Sequence, residues 1–270
     1  MLSIGNPGLL QQYTQSVSAR FGFPVSGANS ISLNGTASST MHPFASSVFT
    51  ATKDSVLPGG YLMREGSQLT RPVNLSGGYT ARAFATFAVP LTKIESNFNI
   101  NAGYSYASSP SLVNNILGYT NTSNINTGLV LSGHTKAHFD YTLNYTPDYS
   151  IVRNTLVPQQ DNNYFTEVIS SRLTYTILKG FVVNTDFNYR IYSGINSAYS
   201  QNYALWNASI GRKFFKKQNG EFRLYVYDIL NQQNSLSHTV TDLYVQDRQV
   251  NVLGRYFMFS FVYHLRNYRK

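Results

Sequence analysis

Phe139-Asp140-Tyr141-Thr142-Leu143-Asn144-Tyr145 is the stretch that decides the fold. Its odd positions are aromatic or aliphatic, its even positions are polar, and His138 before it continues the polar set. Successive side chains of a β-strand point to opposite faces, so the segment reads as a ribbon with one apolar and one wet face. The alternation returns along the chain. Phe98, Ile100, Ala102, Tyr104 and Tyr106 stand against Asn97, Asn99, Asn101, Gly103 and Ser105. Phe181, Val183, Phe187, Tyr189 and Ile191 stand against Asn184, Asp186, Asn188 and Arg190, and Phe257, Phe259, Phe261, Tyr263 and Leu265 share one parity. Many such segments, with no helical stretch between them, predict an all-β antiparallel transmembrane barrel.

Composition agrees with that reading. The 270 residues hold 21 Tyr and 17 Phe but only 12% charged residues, and mean hydropathy is -0.22. A barrel hides its membrane affinity from such averages because only alternate residues face lipid. Tyrosine suits the membrane–water interface, and the Asn, Ser and Thr that replace charges suit a hydrated inner wall. No run of 18 apolar residues exists, which excludes a helical span. The absence of cysteine excludes thiolate metal sites, disulfide scaffolds and cysteine nucleophiles. The net charge of +9 could suggest nucleic acid, but its distribution argues against it.

Eleven strands are expected, near 9–23, 30–39, 76–90, 96–108, 122–133, 136–147, 164–177, 181–192, 202–215, 221–230 and 254–266. Connectors alternate short and long. The short ones are 24–29, Pro90 to Lys93, Ser132 to Thr135, Leu178 to Gly180, and Lys216 to Gly220, the last with an Asn219-Gly220 hairpin signal. The long ones are about 40–75, 109–121, 148–163, 193–201 and 231–253. Bacterial barrels put short turns on the periplasmic rim and long loops outside. Arg20, Lys93, Lys136, Lys179, Arg212, Lys213, Lys216 and Lys217 fall at the short-turn end, while Asp54, Glu65, Asp148, Asp161, Asp242 and Asp247 fall in the long loops.

An eleven-strand meander puts the two termini on opposite rims, whereas single-chain bacterial barrels have an even strand number. No signal peptide is legible at Met1-Leu2-Ser3-Ile4-Gly5-Asn6-Pro7. Both features predict the C-terminal part of a larger barrel, about 22 strands as in plugged transporters, with residues 1–270 as one barrel segment lacking plug and N-terminal strands.

A family resemblance emerges in these residues. Gly5-Asn6-Pro7-Gly8-Leu9 with Gln12-Tyr13 resembles a segment found midway through TonB-dependent receptor barrels. Leu57-Pro58-Gly59-Gly60 and Leu69-Thr70-Arg71-Pro72-Val73-Asn74 resemble the branch known as the outer-membrane β-barrel protein family. So do Asn162-Asn163-Tyr164-Phe165, Asn202 to Ser209, Asp228-Ile229-Leu230-Asn231-Gln232, and Arg255-Tyr256-Phe257-Met258. The resemblance implies a Gram-negative outer-membrane receptor that imports a solute (chelated metal, glycan or peptide) past a plug. It also implies outer-membrane lipid, the TonB complex and a surface lipoprotein as partners. The chain departs from the pattern at its end, where Arg269-Lys270 follow Tyr268.

Arg82, Lys136, His138, Asp140, Arg172, Asp186 and Arg190 take the polar parity and are the lumen-facing candidates. A lipid-facing Arg or Lys near the midplane costs about 2–4 kcal/mol, which favours the lumen. Tyr104, Tyr106, Tyr145, Tyr189, Trp206 and Tyr263 take the opposite parity and are expected in aromatic girdles. Tyr61, Tyr119, Tyr199 and Tyr244 are loop candidates for ligand stacking, against the blander reading that they pack the loops. His134 and His138, four residues apart on a strand, would span roughly 13 Å, too far to share a metal, so neither metal nor cofactor is expected. His42 and His238 fall in connectors. Gly-x-Ser-x-Gly, His-Glu-x-x-His and phosphate-loop motifs are absent, and no enzyme is expected. The alternatives are a porin-like passive channel, a barrel scaffold for protein assembly or adhesion, and a soluble β-sandwich.

Overall fold

The computed structural model describes residues 2–57, 60, 62–135, 138–156, 158–177, 180–194, 202–215, 218–233, 235–240, 245–263 and 265. In order, the strands are β1 (Leu2–Ser3), β2 (Tyr13–Pro24), β3 (Ser30–Met41), β4 (Phe44–Thr50), β5 (Ser55–Val56) and β6 (Leu62–Met63). Then come β7 (Gln68–Asn74), β8 (Gly78–Leu91), β9 (Ser96–Val113), β10 (Ile116–Thr135), β11 (Phe139–Asn154) and β12 (Asn162–Ile177). The last six are β13 (Phe181–Ser193), β14 (Tyr203–Phe214), β15 (Gly220–Tyr227), β16 (Ser235–Val240), β17 (Val245–Val250) and β18 (Tyr256–Tyr263). Among the described residues there is no α-helix, only two short 3-10 turns.

One 14-stranded sheet dominates. Its body is an antiparallel meander running β2, β3, β8 through β15 in order, then β18. β1, β4 and β7 are added beside the tip of β9. β2 and β18 are the ends of the meander and do not pair with each other. The sheet is therefore open. All of β2 is exposed, as is most of β18.

The register carries the alternation across the whole sheet. Opposed residues share a face, and one row reads Phe21, Leu33, Ala85, Ala102. Farther along, Leu143 opposes Ser171, which opposes Phe187, which opposes Trp206. Arg212, Phe222 and Phe261 continue the same face. This apolar face is bare: Val17 is 70% exposed, Phe257 69% and Phe259 68%. Such an area of exposed hydrocarbon is a surface for something other than water.

Aromatics gather at both margins of the apolar face. One tier holds Phe139, Tyr141 and Tyr175, with centroids 5.5 and 6.1 Å from the Phe139 ring. It continues through Phe214, Phe222, Phe259 and Phe261. The other tier holds Tyr79 stacked on Tyr106 at 5.6 Å and Tyr149 beside Phe165 at 6.4 Å. From Phe139 to Tyr149 is about 33 Å along β11 at the usual rise. At a tilt near 40° this is about 25 Å, the height of a barrel's apolar band.

Several expected connectors are strand instead. The presumed long loop 109–121 is a two-residue turn, Asn114-Asn115, between β9 and β10. Both residues have positive φ, 49° and 66°, the type I′ geometry that asparagine tolerates. Ser132 to Thr135 belong to β10 and pair with Phe139 to Thr142 of β11, so that turn falls later, between Thr135 and Phe139. β11 runs on to Asn154, which makes Asp148 a strand residue rather than a loop acid. His238 lies in β16, not in an irregular loop. Asn219-Gly220 is not the centre of its turn: Phe215 and Gln218 take the positive φ, and Gly220 begins β15 beneath the Phe215 ring. The residues from 9 to 12 precede β2 and are bound by the 42–74 connector. Asn74 exchanges hydrogen bonds with Leu10, the Phe44 N–H donates to Gln12, and Asn6 donates to the Pro72 carbonyl.

Candidate functional site

The polar face of the meander is a ladder of short hydrogen-bonding side chains. The hydroxyls of Ser38 and Thr80 lie 2.7 Å apart, Thr86 donates to Asn101 at 2.9 Å, and Thr174 donates to Asn184, which donates to Ser209. These are cross-strand neighbours, the sheet's natural unit of side-chain interaction. These cross-strand pairs, with i,i+2 bonds along one strand such as Asn34 to Ser32 and Thr146 to Asn144, order the wet face largely without charges.

Charges are few on this face and most are paired. Arg172 donates through Nε to Asp186 at 2.6 Å, directly across the β12–β13 register. Asp140 meets the ring of His134 across β10 and β11. Arg223 reaches Glu221 at 2.7 Å, and Glu221 is almost fully buried. Arg82 opposes Thr36 and Ser105 on the polar face. Arg190 opposes Tyr203 and donates to the Tyr192 hydroxyl at 3.2 Å. Of the seven lumen candidates, Arg82, Asp140, Arg172, Asp186 and Arg190 thus share the polar face, and Lys136 lies outside the described residues. His138 is a correction. It sits in the turn with φ 59°, its N–H donating to Thr135 and its carbonyl accepting from Thr176. Alternation does not apply there, because a turn residue has left the pleat.

All six girdle candidates lie on the apolar face. Tyr106 donates to Asn121, the Tyr104 hydroxyl lies 3.2 Å from Ser123, and Tyr145 donates to Glu167. Trp206 donates through Nε1 to Thr185 at 2.8 Å. Tyr263 sits in the opposite tier beside Phe215 and accepts from Asn219. Tyr104, Tyr106, Tyr145, Trp206 and Tyr263 thus combine a ring on the apolar face with a hydrogen-bonded polar tip, the interfacial habit of Tyr and Trp. Among the described basic rim residues, Arg212 shares the apolar face, its guanidinium 5.2 Å over the Phe181 ring. The loop candidates fare differently. Tyr61, Tyr199 and Tyr244 lie outside the described residues. Tyr119 is a strand residue opposite Pro110, and its ring covers Gly77 so closely that a Cβ there would meet it at 3.1 Å.

The polar face also carries aromatics that alternation alone did not single out. Tyr192, Tyr203, Tyr225, Tyr227 and Tyr256 gather on β13, β14, β15 and β18. Tyr227 and Tyr256 stack at 5.0 Å with 25° between planes, and Tyr225 lies 6.4 Å from Tyr227. The signal was in the sequence, as Tyr203 and Tyr225 hold the parity opposite Trp206 and Leu224. Parity shows the face but not which rings meet, because that depends on which strands lie side by side.

At one end of this cluster a buried turn anchors the 228–255 connector. Asp228 is fully buried, with φ 50°. Its carboxylate accepts from the N–H groups of Gln232 and Gln233 at 3.0 Å, and its own N–H donates to Asn207. Asn231 Oδ1 accepts from the Arg255 N–H. The Asp228-Ile229-Leu230-Asn231-Gln232 motif is thus a backbone staple, a turn built from side-chain acceptors. Among the described residues no cluster of three or more metal-ligating side chains occurs.

No curated protein and no solved structure matches the chain. The model of one family, described as the outer membrane protein beta-barrel family, matches residues 1–263. With a two-faced sheet, a bare apolar band and a wet opposite face, the chain belongs to this outer membrane protein beta-barrel family and is a protein of the outer membrane.

Proposed function

We propose that the chain is the C-terminal half of the barrel of a TonB-dependent receptor that imports a solute past a plug. One observation carries the reading: β2 and β18, the two ends of the meander, run in the same direction. Closing this sheet on itself would require a parallel seam, whereas bacterial single-chain barrels have even strand numbers and antiparallel seams. Both edges also present unpaired backbone groups, each costing several kcal/mol in lipid. An odd number of further strands between β2 and β18 removes both problems, and eleven more make a 22-stranded barrel. In this reading the apolar face meets lipid and the aromatic tiers sit at its two interfaces. The polar face lines the lumen, where Arg82, Asp140, Arg172, Asp186 and Arg190 meet the solute or the plug. The long connectors face outward and capture the solute, and the chemistry is transport rather than catalysis.

The test is a strain in which the region encoding this chain is disrupted. It is grown with ferric chelates, glycans or peptides as the limiting nutrient. The reading expects a growth defect on one class, reproduced by loss of TonB. Uptake that survives loss of TonB, together with steady passive conductance of the purified protein in planar bilayers, overturns it in favour of a porin-like channel.

A further inference from the structure

We propose that the polar-face tyrosines form a binding platform for a neutral oligosaccharide, an assignment that rests on this face lining the lumen. Tyr192, Tyr203, Tyr225, Tyr227 and Tyr256 come from four neighbouring strands that span three inter-strand gaps, about 14 Å at the usual strand spacing. That width accommodates a short run of sugar rings. Tyr192, Tyr203, Tyr225 and Tyr227 are half-buried and Tyr256 is 38% exposed, so the cluster is held by its strands yet reachable from the wet face.

The chemistry beside the rings selects the ligand. A pyranose has an apolar C–H face and a rim of vicinal hydroxyls. The negative face of an aromatic ring receives the first, and fixed polar groups receive the second. Arg190 is tied to the Tyr192 hydroxyl at 3.2 Å and opposes Tyr203, which also neighbours Tyr227. Asp186 lies across the register from Asn207 and neighbours Tyr225. These place donors and acceptors at the margins of the ring cluster, and the tyrosine hydroxyls add both.

Charge argues against the other common cargoes. Asp186 is neutralised by Arg172 at 2.6 Å, so Arg172, Asp186 and Arg190 together carry one net positive charge. A ferric tris-catecholate carries several negative charges and needs more cations than that to replace its hydration. An extended peptide would seek an edge strand or backbone partners, and the rings lie on the pleated face of paired strands.

The test uses the full-length receptor purified in detergent. Binding of maltohexaose, cellohexaose, xylohexaose and a ferric tris-catecholate is measured by calorimetry. The platform predicts that at least one of the three hexasaccharides binds and that the catecholate does not. Y227A and Y256A are each expected to weaken that binding at least tenfold, while Y227F, which keeps the ring, holds within about threefold. Heat-modifiability on a gel verifies that each variant is folded. Failure of all three hexasaccharides at millimolar concentration overturns the proposal. So does binding unchanged in folded Y227A and Y256A, or tyrosine-dependent binding of the catecholate. Binding in detergent needs no TonB, so the platform and the TonB-dependent reading fail independently.

Discussion

At the scale of single residues, burial and exposure separate the side chains that hold the protein from those that wait on a ligand. Asp228 is fully buried and its carboxylate satisfies two backbone N–H groups. Leaving a buried donor unsatisfied costs about 1–3 kcal/mol. D228A is therefore expected to lower stability by that amount or more. Urea unfolding in detergent micelles measures it, with new proteolytic cleavage inside 231–255 as the structural signature. The Arg172–Asp186 pair is the contrasting case. The Arg172 side chain is 77% exposed, and exposed pairs contribute about 0–1 kcal/mol. R172A should leave the urea midpoint within that range, and a large drop would show that the pair is structural after all.

At the scale of elements, the β9–β10 hairpin and the two faces make separate predictions. The β9–β10 hairpin has strands of 18 and 20 residues, about twice what a barrel strand needs to cross the bilayer. The excess projects beyond the membrane and closes through Asn114 and Asn115 in left-handed conformation. Alanine at both positions forfeits asparagine's tolerance of that conformation, at about 1 kcal/mol or more per residue. The double variant is expected to open the tip to limited proteolysis while the heat-modifiable body persists. Asn-to-Gly replacements should leave it closed. A matched pair tests the faces. Leu143 on the apolar face is 43% exposed, and Asn144 beside it belongs to the polar face. L143R should cost about 2–4 kcal/mol and deplete the folded outer-membrane band, whereas N144R should be tolerated. Equal damage from both would sink the assignment of lipid and water to the two faces.

At the scale of the whole molecule, the outstanding feature is the pair of open edges. Residues 1–270 hold no cysteine, so within this segment an introduced pair reports only the contact it was built for. Pairs combining A19C or F21C of β2 with F259C or F261C of β18 test closure. Disulfides need Cα atoms within about 7 Å. With further strands between the edges, these pairs are expected to form no intramolecular cross-link in the full-length protein. An efficient cross-link would mean that the chain closes on itself through a parallel seam, and the half-barrel reading falls. The same reading expects residues 1–270 behind a signal peptide to fail to give a heat-shifted folded form alone.

Much of this was legible from residue order alone, because a period of two is a local property. Phe139 to Tyr145 need only their own backbone to sort rings from polar groups, so the faces of the strands follow from reading along the chain, whereas strand ends such as those of β9, β10 and β11 do not. Outer-membrane membership was legible for the same reason, repeated over the length of the chain. What residue order left open was decided by cross-strand pairing. Asn114-Asn115 and His138 look like parts of a loop and a strand in sequence, and only the register of β9 with β10 and β10 with β11 gives each its turn. The tyrosine platform is similar. Tyr192, Tyr203, Tyr227 and Tyr256 are spread over 65 positions, 192 through 256, and become neighbours only because four strands lie side by side. Their common face could be read locally, but adjacency across strands is a tertiary property, set by hydrogen-bond register and not by any one segment.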